Sequence, residues 1–269
     1  MDEGPSTHQA ALHLRTGVDV SYVSRGDPSD ISVLFLHAWG ESRGSFDRVI
    51  PLLPRTIRAL AMDQRGHGDS DKPADGYSLT DFAGDVTAFL DAMGLPSAVL
   101  VGSSSGGYVA QQVAISSPER VRGLLLVGAP RSLRGRPPFA DEVDRLTDPI
   151  DRGWVKRSLT WFPRFQPVPE WYIEARVDDG VQMPARVWRQ ALAGLGEATP
   201  PTEAGTIRTP TLIIRGERDE LLPRADSEAL TAAVSGSRLV VYPDTGHLVL
   251  WEQPGRIADD LTAFIASLP

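Results

Sequence analysis

The sequence predicts an α/β fold: a mostly parallel, twisted sheet flanked by helices, with an all-helical insertion past its middle. Short, continuously apolar runs recur along the chain, each bounded by Gly, Pro or polar residues. Runs of that kind suit strands buried on both faces. Helical patterns lie between them, and the alternation implies right-handed β–α–β winding. Between about residues 130 and 205 the strand-like runs stop and prolines cluster, which marks the insertion.

The elements follow in order. "LHLRTG" and "VDVSYVSRG" alternate like a β-hairpin, so antiparallel edge strands are expected at the start. His8 falls ahead of them in a polar tail, and His13 lies in the first edge strand. Buried strands are expected at "ISVLFLHAW" (31–39), "IRALAMD" (57–63), "AVLVGS" (98–103), "VRGLLLVGA" (121–129), "TLIIRGE" (211–217) and "RLVVYP" (238–243). Phe82, Val86, Phe89 and Leu90 share one helix face after a cap at Ser78. Val109, Val113 and Ala114 mark a second helix, and Ile257, Leu261, Phe264 and Ile265 a C-terminal one. Inside the insertion, Phe139, Val143 and Leu146 are spaced as a helix face, as are Val155, Leu159 and Phe162. Val187, Ala191 and Leu195 make a third apolar stripe, with Trp188 and Leu192 beside it. Pro169 and Pro184 stand where a first helical turn tolerates them. The domain reading is therefore a core of residues 1–129 and 206–269, with residues 130–205 as a helical cap on the sheet.

Composition sets outer limits. The 269 residues are 41% hydrophobic, ordinary for a chain with a full core. With 27 basic and 35 acidic residues the net charge is −8, the wrong sign for a nucleic-acid surface. There is no cysteine, which excludes disulfides, thiolate catalysis and Cys-based zinc sites. The start lacks the basic and apolar regions of a signal peptide. No apolar run reaches the roughly 20 residues that a membrane helix needs. A soluble cytoplasmic protein is expected, with no membrane partner and with a homodimer left open.

The chemistry concentrates in "VLVGSSSGGYVAQQVA" (99–114), where a strand hands over to a helix through three serines. In a strand–Gly-x-Ser-x-Gly–helix turn the middle serine sits on a tight, strained bend and projects above the sheet. Only Ser104 has glycine two residues away on both sides, at Gly102 and Gly106. Ser104 is the candidate nucleophile, Ser105 contributes its backbone N–H, and Ser103 is a small filler. A phosphate-binding loop would need Gly-Lys-Ser/Thr, and "GGYVA" follows instead.

A serine hydroxyl needs a base to take its proton. Of five histidines, His247 alone lies after the last strand, in "YPDTGHLVLWEQP", where a loop overhangs the C-terminal strand ends. The acid that holds its other nitrogen is sought in "IIRGERDELLP". Asp219 falls just past the strand end there, while Glu217 is expected to pair with an arginine. "FLHAWGES" supplies a loop after a buried strand, and its Trp39 N–H, with that of Ser105, forms the expected oxyanion hole. No H-x-H or H-E-x-x-H spacing calls for a metal, and no cofactor is needed. Trp154, Trp161, Trp171 and Trp188 all fall in the cap and are the candidate substrate-binding rings, beside Phe139, Phe162, Phe165 and Tyr172. They imply an apolar or aromatic substrate.

Taken together, "LHAWGES", "DQRGHGDSDKP", "VGSSSGG", "GERDELLP" and "TGHLVLWEQP" resemble, in order, the five motifs of the α/β-hydrolase superfamily across essentially the whole chain. One departure is Ala38, where the family usually has Gly. The resemblance implies the α/β-hydrolase fold and a triad of Ser104, Asp219 and His247. Ser104 weighs against the haloalkane dehalogenases and epoxide hydrolases, which use Asp. Carbon–carbon hydrolases usually carry Asn before the serine and Trp after the histidine, and here Ser103 and Leu248 stand there. The stretches after "DQRGHGDSDKP" look similar to enol-lactonases, small esterases and cofactor-free perhydrolases. Hydrolysis of a carboxylic ester or lactone is the reading, with perhydrolase, acyltransferase or carbon–carbon hydrolase chemistry as alternatives. A non-catalytic ligand receptor is the rival from another class, and the intact triad weighs against it.

Overall fold

The computed structural model describes residues 7–28 and 30–269. The first six residues, on which part of the signal-peptide expectation rests, lie outside the described residues.

Eight strands form one sheet: β1 (His8–His13), β2 (Asp19–Arg25), β3 (Ile31–Leu36), β4 (Ile57–Met62), β5 (Ala98–Ser103), β6 (Val121–Val127), β7 (Thr211–Gly216) and β8 (Arg238–Tyr242). Their order is β1-β2-β4-β3-β5-β6-β7-β8. β1 and β2 pair antiparallel, as do β2 and β4, and every later pairing is parallel. The six apolar runs all form strands where they stand; five are largely buried, while β8, at the edge of the sheet, is exposed or half-buried except at Tyr242. β1 is the exception: His8, expected in a polar tail, opens the strand and pairs with Ser24. The outer strand is exposed almost throughout, so its sequence carries no apolar signal.

Alternation along each central strand feeds two cores. In β3, Leu34 and Leu36 pack with Phe89 and Val113, while Val33 and Phe35 pack with Trp251 and Leu261 on the other face. The first layer includes α1 (Leu79–Ala92) and α2 (Ser105–Ser116). α1 starts as expected at Ser78, whose side chain caps Asp81 N–H while Asp81 reaches back to the Ser78 N–H. That reciprocal box satisfies donors the first turn would otherwise leave open.

Between β6 and β7 the described residues form five α-helices, one 3-10 turn (Leu159–Trp161) and no strand. The helices are α3 (Ala140–Asp144), α4 (Arg152–Ser158), α5 (Glu170–Gln182), α6 (Ala185–Gly196) and α7 (Pro201–Ala204). Pro169 and Pro184 are the residues just before α5 and α6. Val187, Ala191 and Leu195 are buried as one stripe of α6. Residues 132–139 form a loop instead, so Phe139 ends a connection and Leu146 lies past α3. The C-terminal part adds α8 (Arg224–Ala233), α9 (Val249–Glu252) and α10 (Pro254–Ala266). Among the described residues no helix is long and apolar enough to cross a membrane.

Candidate active site

The turn between β5 and α2 is tight and strained. Ser104 has φ 47° and ψ −119°, a left-side conformation that a non-glycine residue adopts only under constraint. The constraint is close backbone approach. A Cβ on Gly106 would stand 2.2 Å from Leu36 O, and one on Gly102 would stand 2.4 Å from Gly107 Cα. Only glycine fits at either place. The bend is further held by Ser104 N–H, which donates to Val127 O at 2.8 Å.

Three side chains from distant parts of the chain meet at this bend. Ser104 Oγ lies 3.0 Å from His247 Nε2, and His247 Nδ1 lies 2.8 Å from Asp219 Oδ2. A carboxylate only accepts, so Nδ1 carries the ring proton and Nε2 presents a lone pair to the Ser104 hydroxyl. Asp219 Oδ1 accepts the N–H groups of Leu221 and Leu222, both at 3.0 Å. The His247 and Asp219 side chains are 4% and 1% exposed, so their hydrogen bond is shielded from competing water. Glu217 stays apart: it accepts Asp244 N–H, and the nearby Arg218 pairs with Asp244 itself.

The histidine loop is fastened by a residue that the sequence reading missed. Glu252 is buried and accepts three backbone N–H groups, from Phe165 at 2.7 Å, Gln166 at 2.9 Å and Gly246 at 2.9 Å. One carboxylate thus ties the loop before His247 to the helical insertion. Phe162, also from the insertion, lies over His247 with ring centroids 5.6 Å apart.

The two expected oxyanion donors differ in what they already touch. Ser105 N–H sits in the first turn of α2, where it has no partner within the helix. Trp39 N–H, however, donates to the Ser105 hydroxyl at 2.7 Å. Ser105 therefore brings a side chain as well as a main-chain group to the site.

Ser104 and His247 open onto a cavity of about 320 Å³. Its walls are mostly apolar, from Phe139, Leu159, Trp161, Phe162, Trp188 and Leu192. The four candidate tryptophans part company here. Trp161 and Trp188 line the cavity. Trp154 stands behind them, edge-on to both. Trp171 is 59% exposed on the outer surface, edge-on to Tyr172. Trp154 and Trp171 are thus corrected to second-layer and surface positions, because helix rotation turns their rings away from the cavity. Of the other rings, Phe139 and Phe162 line it, while Tyr172 is buried against Trp251. Truncating Trp161 to Ala is expected to lower kcat/KM for a bulky aryl ester about tenfold more than for an acetate ester. Trp171→Ala should leave both within about twofold; parallel losses in the two variants would refute the placement.

One end of the cavity is polar. Glu41 accepts Ser45 O–H at 2.5 Å and Trp251 Nε1–H at 3.2 Å, and burial pushes its carboxyl above the ordinary range. Arg176 on α5 pairs with Asp179 at 2.5 Å. Neither was read from the sequence, where they look like ordinary helix and loop charges.

Beneath the oxyanion loop, His37 and His67 are buried side by side, with ring centroids 5.0 Å apart. Burial pushes His37 down to about 4 and His67 down to about 3. The unfolded chain takes up protons on these groups near pH ~6.5, whereas the folded chain does not until far lower. Their contribution to stability is complete above that pH and is lost as pH falls towards 4. Denaturation series should show His67→Gln with a shallower acid-side decline than the parent. An unchanged slope would show that His67 plays no part in it.

Comparisons with known proteins bear on the family and the fold. Residues 31–254 match the family model described as alpha/beta hydrolase fold. The chain is 30% identical to a bifunctional esterase/perhydrolase of Acinetobacter calcoaceticus, over 94% of this chain and 98% of that one. Its backbone is similar to an esterase from Exiguobacterium antarcticum, with a TM-score of 0.86, 23% identity, and coverage of 97% and 100%. It is also similar to the enol-lactonase from Burkholderia xenovorans, with a TM-score of 0.83, 20% identity, and coverage of 96% and 100%.

Proposed function

The chain belongs to the alpha/beta hydrolase fold family, and from that premise we propose that it is a serine hydrolase cleaving a carboxylic ester or lactone. The observation that carries this reading is the line Ser104–His247–Asp219 on a strained elbow, at one wall of a largely apolar cavity. The esterase/perhydrolase relative and the enol-lactonase of like fold support ester chemistry.

In this mechanism the substrate carbonyl lies over Ser104. His247 Nε2 takes the Ser104 proton as the oxygen attacks, and an acyl-enzyme forms. His247 passes that proton to the leaving alcohol, then activates a water that releases the acid. Asp219 keeps the imidazole in the required tautomer and stabilises its charged form. The tetrahedral oxygen is held by the N–H groups of Ser105 and Trp39. The helical segment 130–205 acts as a cap whose rings select a bulky, largely apolar substrate. A lactone passes through the same steps, with its alcohol still attached to the acyl group.

Rapid mixing with a p-nitrophenyl ester tests the reading. One equivalent of p-nitrophenol should appear in a burst, and intact mass should show an acyl or phosphonyl adduct on Ser104. Turnover without any adduct on Ser104, or no turnover on esters graded by size, would overturn it. The Acinetobacter relative also favours perhydrolysis as a second use of the acyl-enzyme. Competition between water and hydrogen peroxide for the acyl group measures that share.

A further inference from the structure

A second, far smaller cavity of about 10 Å³ lies on the inner side of the oxyanion loop, beside the active-site cavity. Its apolar walls include Phe82, Val109 and Leu195, and its polar walls are Gln64, His67 and Ser105. A space of that size holds one water-sized molecule, provided polar partners are at hand.

The partners are defined by what the rest of the protein leaves them. His67 Nδ1 lies 2.9 Å from Arg65 O, so it must carry the ring proton. His67 Nε2 is then a bare lone pair, buried and with no hydrogen bond among the described residues. Burial keeps this ring neutral, pushed down to about 3. Gln64 Nε2 donates to His37 O at 2.7 Å, which fixes which way the amide faces. Gln64 Oε1, on the same cavity, is a second buried acceptor with no hydrogen bond among the described residues. The third wall is Ser105 Oγ, which accepts Trp39 N–H at 2.7 Å and so retains its own proton to give.

We propose that this cavity binds one ordered water, which donates to His67 Nε2 and Gln64 Oε1, accepts the Ser105 O–H, and thereby makes Ser105 a positioning residue for the Trp39 N–H. Each group finds its complement: two lone pairs meet the two water protons, and the serine proton meets the water oxygen. Left unpaired, each buried acceptor would lose its hydration on folding with nothing in exchange. The consequence for the reaction runs through Ser105. Its hydroxyl, anchored from behind, holds the oxyanion loop by the one N–H that must reach the substrate oxygen. When that oxygen develops charge, the Trp39 N–H is shared with it from a place already fixed. The catalytic half of this inference rests on the proposed acyl-enzyme reading; the water site does not.

The test joins a structure to kinetics. A high-resolution crystal structure should show one peak within hydrogen-bonding reach of His67 Nε2, Gln64 Oε1 and Ser105 Oγ, about 2.6–3.2 Å from each. Ser105→Ala should lower kcat on a p-nitrophenyl ester about tenfold, less than outright loss of an oxyanion donor, with KM nearly unchanged. It should weaken an alkylboronate, which places an oxygen in the same hole, by the same factor. Ser105→Thr, which keeps the hydroxyl, should recover most of both. A dry cavity overturns the water site. Equal kcat and equal boronate affinity in Ser105→Ala and the parent overturn the positioning role. A parent protein that shows the water but no acyl burst overturns the hydrolase reading and this role together, and leaves the water site standing.

Discussion

Ser104→Ala is expected to lower turnover on activated esters by about 10⁴–10⁶, the range found when one member of a catalytic triad is removed. Ser104 is the one serine of the three at hydrogen-bond distance from His247 and on the strained bend. Ser103→Ala should retain most activity. Ser105→Ala should fall between the two, since its hydroxyl meets Trp39 N–H. This grading separates nucleophile, positioning group and filler within three consecutive residues. Alanine keeps the Cβ and so leaves the backbone strain at φ 47° as it is, and the melting temperature should move little. If Ser104→Ala kept more than about a tenth of the parent rate, another nucleophile would have to be sought.

How much of this was legible in the sequence follows from the physics of each element. The central strands are buried on both faces, so most residues in them are apolar, and the runs stand out against their surroundings despite buried exceptions such as Arg58 and Arg215. β1 is exposed on both faces, so the edge strand expected at "LHLRTG" overlaps it only at Leu12 and His13, and nothing in "HQAA" reports a strand. Ser104 was legible because two glycines are forced by backbone approach that a Cβ would block. His247 and Asp219 were legible from their place after β8 and β7, a property of topology. The tryptophans were not. A ring looks alike in sequence whether it faces the cavity, as Trp161 does, or solvent, as Trp171 does. Helix rotation decides that, and it is set by packing between helices of very different sequence position. Glu252 was invisible for a related reason: its partners Phe165 and Gln166 lie 87 and 86 residues away. The same holds for Gln64 and His67, whose orientation depends on which carbonyl each finds.

Asp219→Asn is expected to lower kcat by about 10⁴, although it alters no heavy-atom position. The surrounding hydrogen bonds dictate how the amide must sit. The N–H groups of Leu221 and Leu222 both point at Oδ1, so the amide oxygen takes that place. The amide NH₂ is left facing His247 Nδ1 at the 2.8 Å contact. Two donors cannot share that contact, so the ring proton moves from Nδ1 to Nε2. His247 Nε2 then offers a proton to Ser104 Oγ instead of accepting one, and the nucleophile cannot be activated. The defect is one of tautomer rather than fold, so binding should survive: KM for an ester should stay within about threefold while kcat collapses. Asp219→Ala removes the wrong-way donor but also the orienting contact, and it leaves the N–H groups of Leu221 and Leu222 without an acceptor. It should therefore lose stability as well as rate, which Asp219→Asn should not. Nitrogen-15 spectra of the imidazole would read the tautomer directly. Parent-like kcat in Asp219→Asn, or a ring proton still on Nδ1, would show that Asp219 is not the acid that orients His247.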